Sequence, residues 1–138
     1  MERNFKILKI DHVAVATNSI SDLNIFSLLG MKESKLENIE SEKVNVAKFF
    51  AADDDHVIEL LEPSTETSTI KNFLNKNGQG LHHISLTVDN IFNAIKFLDS
   101  NNIQIIYKTP RAGADNKLIT FIHPKSTPGI LIELSQDN

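Results

Sequence analysis

Two histidines and two glutamates define the chemistry open to this chain. His12 opens the run His12-Val13-Ala14-Val15-Ala16, and His83 opens His83-Ile84-Ser85-Leu86-Thr87. Glu59 and Glu133 sit in a shared Ile-Glu-Leu tripeptide, within Val57-Ile58-Glu59-Leu60-Leu61 and Leu131-Ile132-Glu133-Leu134-Ser135. The histidines lie 71 positions apart and the glutamates 74. Matched residue types recurring at matched places mark a chain of two related halves. Two imidazoles and two carboxylates form a ligand set for a divalent first-row metal, with positions left for water or substrate. A lone strand histidine is more often a satisfied core residue, and a lone glutamate a solvated one. The duplication lifts the four residues above that reading.

The elements that must position them follow from period. Each run carries an apolar residue at every second place, the side-chain period of a half-buried strand. The N-terminal half reads β-α-β-β-β: a strand at 7–16, a helix at 20–29 stopped by Gly30, strands at 31–36 and 43–51, the turn Asp53-Asp54-Asp55, and a strand at 56–61. A linker at 63–80 holds one or two helical turns near Ile70 and Leu74. The second half repeats the order: a strand at 82–88, Asp89 as N-cap, a helix with Ile91, Ala94, Ile95 and Leu98 on one face, and strands at 103–107, 118–122 and 129–135. A loop occupies 108–117. Alternation sets His12, Ala14 and Ala16 against Val13 and Val15, and His83, Ser85 and Thr87 against Ile84, Leu86 and Val88. With helices on the apolar faces, the histidines and glutamates face a cleft. The expected fold is α+β, two βαβββ units (6–62 and 81–136) forming a curved eight-stranded mixed sheet around a metal-containing cleft, in one domain of 1–138.

Composition narrows the function classes. With 138 residues, 41% of them apolar and 23% charged, the chain has the make-up of one ordinary globular domain. No apolar run is long enough to span a membrane, and the charged residues 1–6 are followed by no apolar segment of a secretory signal, so a cytoplasmic protein is expected. The absence of cysteine excludes disulfides, thiolate metal sites and thiol nucleophiles, leaving nitrogen and oxygen ligands. A net charge of −4 argues against nucleic acid as a partner. Acids dominate 37–66, whereas Lys108, Arg111, Lys117 and Lys125 meet only Asp115 between 108 and 125. That local excess suits a small phosphorylated ligand, and equally a solvated loop.

Five stretches carry a family resemblance: Ile10-Asp11-His12-Val13-Ala14, Glu59-Leu60-Leu61-Glu62-Pro63, Gly80-Leu81-His82-His83-Ile84, Phe121-Ile122-His123-Pro124-Lys125 and Gly129-Ile130-Leu131-Ile132-Glu133-Leu134. Together they resemble the vicinal oxygen chelate superfamily, which includes glyoxalase I, and within it most closely the methylmalonyl-CoA epimerases. The resemblance implies a metal centre of His12, Glu59, His83 and Glu133, taking Co, Mn, Ni or Zn. It implies a 2-carboxyacyl thioester of coenzyme A as substrate, (R) and (S) forms of methylmalonyl-CoA interconverting through a metal-stabilised enolate, and Glu133 as a proton-transfer group. His83 is then the ligand of its pair, in phase with His12, and His82 faces the helix side as a packed or capping residue. Some members carry a carboxylate on the third strand. The position aligned to it is Ala47, with Asn45 and Phe49 on the same face, Lys48 off phase and Glu42 beyond the strand's end, so the second acid or base is a water, Glu59 or another group. Arg111 and Gly113 of the basic loop, and His123 with Lys125, are substrate-binding candidates, and a homodimer is the expected assembly. Three alternatives share the framework: a glyoxalase I-type lyase acting on a glutathione adduct, a non-catalytic protein that binds a small molecule, and an iron-dependent extradiol dioxygenase.

Overall fold

Alternation produces the first strand where it is expected, β1 at Ile7–Ala16. The computed structural model describes residues 1–22 and 25–138. The chain divides into two units, His12–His82 and a second made of Met1–Asp11 with His83–Asn138.

In the His12–His82 unit, β1 is followed by α1 (Ile25–Leu28), β2 (Lys32–Glu33), β3 (Glu37–Ile39), β4 (Val44–Phe50), β5 (Val57–Pro63) and α2 (Thr69–Asn77). The strands run in the order β2-β4-β5-β1, with β3 also on β4. β5 pairs with β1 in parallel and with β4 antiparallel. Two expectations change here. Of the helix expected at 20–29, the described parts are a 3-10 turn at Ile20–Asp22 and the short α1, while Leu23 and Asn24 lie outside the described residues. The turn is anchored by the Glu62 carboxylate, which accepts from the Ile20 amide at 2.8 Å. The strand expected at 31–36 shortens to β2, with β3 forming beyond it, because the Ser34 hydroxyl accepts from the Lys48 amide at 3.3 Å, where a ladder carbonyl would otherwise serve. Helix α2 runs longer than expected, since Ser68 caps it by accepting from the Ile70 amide. The core of this unit is Ile20, Ala47, Phe49 and Leu60, with Val15, Phe26 and Met31 packed on it.

In the second unit, β6 (Gly80–Val88) leads to α3 (Ile91–Ser100), β7 (Arg111–Ala112), β8 (Leu118–Ile122) and β9 (Leu131–Gln136), in sheet order β6-β9-β8-β7. β9 pairs with β6 in parallel and with β8 antiparallel, the same plan as β5. The N-cap of α3 is Asn90, whose side chain accepts from the Asn93 amide at 3.0 Å. The expected cap, Asp89, is committed elsewhere: its carboxylate accepts from the Lys6 amide at 2.7 Å and its own amide donates to Lys6 O. The strand expected at 103–107 reduces to a single bridge between Ile105 and Ile122. Beyond it the Thr120 hydroxyl takes over, accepting from Tyr107 N at 3.2 Å and donating to Tyr107 O at 2.6 Å. A strand forms later instead, as β7 within the expected loop, paired with β8. Val88, Ile91, Ala94, Ile95, Ile105, Ile122 and Leu134 form the core of this unit. In each unit the strands pair both in parallel and antiparallel and are joined to helices, as an α+β fold requires. Among the described residues no helix is long and apolar enough to cross a membrane.

Candidate metal centre

Each unit buries one histidine beside one carboxylate. In the first, His12 Nδ1 lies 3.3 Å from Glu59 Oε2, with side chains 6% and 5% exposed. In the second, His83 Nε2 lies 3.8 Å from Glu133 Oε2, at 5% and 9%. The register that creates these pairs is identical. On the parallel side Glu59 is the partner of Ala14, two residues after His12, and Glu133 is the partner of Ser85, two residues after His83. Both carboxylates are therefore out of water, where a charged group is stable only if paired or coordinating. Both imidazole contacts are longer than the about 2.7–2.9 Å of a charge-assisted hydrogen bond. Buried nitrogen and oxygen donors held side by side are the chemistry a divalent metal ion takes, so the residues present fit such an ion.

On the antiparallel side the structure corrects a strand phase. Lys48 is the register partner of Glu59, and partners share a face. Its Nζ reaches to 3.9 Å from Glu59 Oε2, with the side chain 14% exposed. Lys48 thus stands on the face that carries Glu59, with Val46 two places before it. Ala47, which had been aligned to that face, is in the core with Phe49 and Leu60. The reason is the β4–β5 register, which pairs Ala47 with Leu60, a contact no single-strand pattern reveals. Glu42 lies in the 3-10 turn Glu40–Glu42 that precedes β4.

The equivalent place in the second unit belongs to Phe121, the register partner of Glu133. Its ring meets His83 edge-on at 5.7 Å and Tyr107 at 6.0 Å. The Arg111 guanidinium stacks over the Tyr107 ring, 3.8 Å from its centroid, so a chain of contacts leads from His83 to an exposed cation. Gly113 is held close: a Cβ there would come 2.8 Å from Ile119 Cγ2. His123 and Lys125 belong to a turn of their own. His123 Nδ1 accepts from the Lys125 amide at 3.0 Å, capping the 3-10 turn at Pro124–Ser126, and the Lys125 side chain is exposed.

Further residues around the pairs have defined partners. His82 packs edge-on against Phe73 of α2 at 4.9 Å, and burial pushes its imidazole down to about 4. Asp11, just before His12, accepts from Lys117 Nζ at 3.1 Å and from the Thr87 hydroxyl at 3.2 Å. Burial alone would lower the Lys117 ammonium, but Asp11, together with Asp137, outweighs it and holds that group above its ordinary value. Two hydroxyls near Glu133, Ser85 Oγ and Ser135 Oγ, are buried without a hydrogen-bond partner. Sequence reading missed Lys48 and Tyr107. The face of the first is set by the β4–β5 pairing, and nothing in the sequence signals the Arg111–Tyr107 stack.

Residues 11–121 match the family model of the glyoxalase/bleomycin resistance protein/dioxygenase superfamily. The chain belongs to this superfamily. Its relatives include the Bacillus subtilis protein YqjC, whose function is not assigned, 39% identical over 93% of this chain and 91% of YqjC. The mitochondrial methylmalonyl-CoA epimerase of Dictyostelium discoideum is also 39% identical, over 93% of this chain and 78% of that protein. Among solved structures, a variant of Streptomyces coelicolor methylmalonyl-CoA epimerase in complex with 2-nitronate-propionyl-CoA superposes with a TM-score of 0.87 at 28% identity, over 96% of this chain and 99% of that one. The superfamily and the resemblance to its epimerase members were both legible in the sequence, as was the α+β fold.

Proposed function

We propose that the chain is a metal-dependent methylmalonyl-CoA epimerase, with one divalent ion, Co, Mn, Ni or Zn, held by His12, Glu59, His83 and Glu133. The observation that carries this reading is the repeated register, which buries a His–Glu pair at the same place in both units. The epimerase relatives support the substrate class. When bound, the ion would act as a Lewis acid that makes the substrate's C2 proton acidic and spreads the charge left by its loss.

The chain's own residues supply the rest. Glu133 accepts the C2 proton, since a carboxylate at the ion already lies beside the acidic carbon. Inversion needs a proton delivered to the opposite face, and Glu59, at the equivalent place in the other unit, is assigned that delivery. The buried Phe121, 8% exposed, keeps water from the Glu133 side. Arg111 on its Tyr107 platform is assigned to the negative charge of the coenzyme, and Gly113 to the close turn beside it. His123 and Lys125 then serve that loop region through their turn. The exposed Ile7, Leu8 and Ile10 of β1 are apolar side chains that a second copy would cover, and a homodimer is part of the proposal.

The test is epimerisation of methylmalonyl-CoA by the purified protein before and after chelation, with Co(II) added back. Activity that is lost on chelation and restored by the ion is expected. A metal-loaded protein that leaves methylmalonyl-CoA unchanged but isomerises the glutathione adduct of a 2-oxoaldehyde would replace this reading with the glyoxalase one.

A further inference from the structure

The position that separates the two units at their carboxylates is Lys48. In the second unit the equivalent place, next to Glu133, holds the apolar ring of Phe121, so the fold does not require a charge there. A lysine with 14% of its side chain exposed, 3.9 Å from the oxygen of Glu59 that also faces His12, runs against the simplest needs of a metal site. A fixed positive charge beside a ligating carboxylate opposes the binding of a cation. Retaining it is reasonable where the bound species is more negative than two oxygens of a neutral chelate would be.

The substrate proposed above has that property. Its acyl group carries a carboxylate on the reacting carbon, and loss of the C2 proton adds a second negative charge. We propose that Lys48 is the specificity-determining residue of this site, its ammonium binding the carboxylate of the 2-carboxyacyl group. A lysine serves this purpose as a compact point charge with rotatable donors, able to share itself between Glu59 and the incoming anion. The inference rests on the coenzyme A thioester reading and sharpens it. A glutathione adduct of a 2-oxoaldehyde has no carboxylate on its reacting carbon, so Lys48 selects against that class, and against simple acyl thioesters.

Calorimetric titration of the Co(II)-loaded chain with methylmalonyl-CoA and propionyl-CoA, which differ by that carboxylate alone, tests the assignment. Wild type is expected to favour methylmalonyl-CoA by about 10- to 100-fold, the range of one charge-assisted contact. Lys48→Met is expected to lose that preference while binding propionyl-CoA and Co(II) no more weakly than wild type, and Lys48→Arg to recover most of it. A Lys48→Met protein that keeps the wild-type preference overturns the proposal. Wild type that binds neither thioester defeats the coenzyme A reading instead. In that case free methylmalonate decides: binding to wild type and not to Lys48→Met upholds the carboxylate site, and equal binding to both removes it.

Discussion

The two units place Glu59 and Glu133 by the same register and surround them differently. Glu59 lies between Ala14 and Lys48, Glu133 between Ser85 and Phe121. One carboxylate is beside a cation, the other beside a hydroxyl and a phenyl ring. The His–Glu pairs repeat while the flanking partners differ, and the proposed function gives the halves different work: proton removal beside Phe121, charge binding beside Lys48.

The comparison can be pressed at several points. The largest effects belong to what the units share. Leu60 and Leu134, 0% and 2% exposed, follow the two carboxylates on β5 and β9, and truncating either to alanine is expected to cost about 2 to 5 kcal/mol, read as a fall in the urea midpoint. Where the units differ the effects are smaller and change sign. Ser85→Ala gives the second unit the residue the first already has at Ala14. It removes a buried hydroxyl with no partner, so the metal-free protein should be unchanged or more stable by about 1 kcal/mol. A loss of 2 kcal/mol or more would mean the hydroxyl has a structural partner.

The smallest effect is at the junction before His12. Lys117 has a raised folded-state value, so its contribution is complete below the unfolded value of 10.5 and is lost as pH rises past the folded one. The stability gap between wild type and Lys117→Met should therefore be flat between about pH 6 and 9, at about 1 kcal/mol for a partly buried pair, and should close above pH 10.5. A gap that stays open at a pH low enough to protonate both carboxylates would remove Asp11 and Asp137 as the cause.

How much of this was legible in the sequence follows from what each feature depends on. β1, β8 and the helix with Ile91 and Ile95 were readable because local period alone fixes them. The buried pairs His12–Glu59 and His83–Glu133 were readable because the residue types occur twice. Lys48 was misplaced because its face is set by the pairing of β4 with β5, a non-local fact. Position 89 was misread for a similar reason, its carboxylate being claimed by Lys6, 83 residues away. The strand expected at 103–107 failed because one threonine hydroxyl, at Thr120, took over both hydrogen bonds of Tyr107.

The inequality of the two carboxylates is most directly tested by proton exchange at C2 of methylmalonyl-CoA in deuterium oxide, followed together with inversion, for the Co(II)-loaded wild type, Glu133→Gln and Glu59→Gln. Glu133→Gln should lose exchange by at least about 100-fold, while Glu59→Gln should still exchange the proton and fail to invert the centre. Exchange at the wild-type rate in Glu133→Gln would contradict the assignment of proton removal to the second unit.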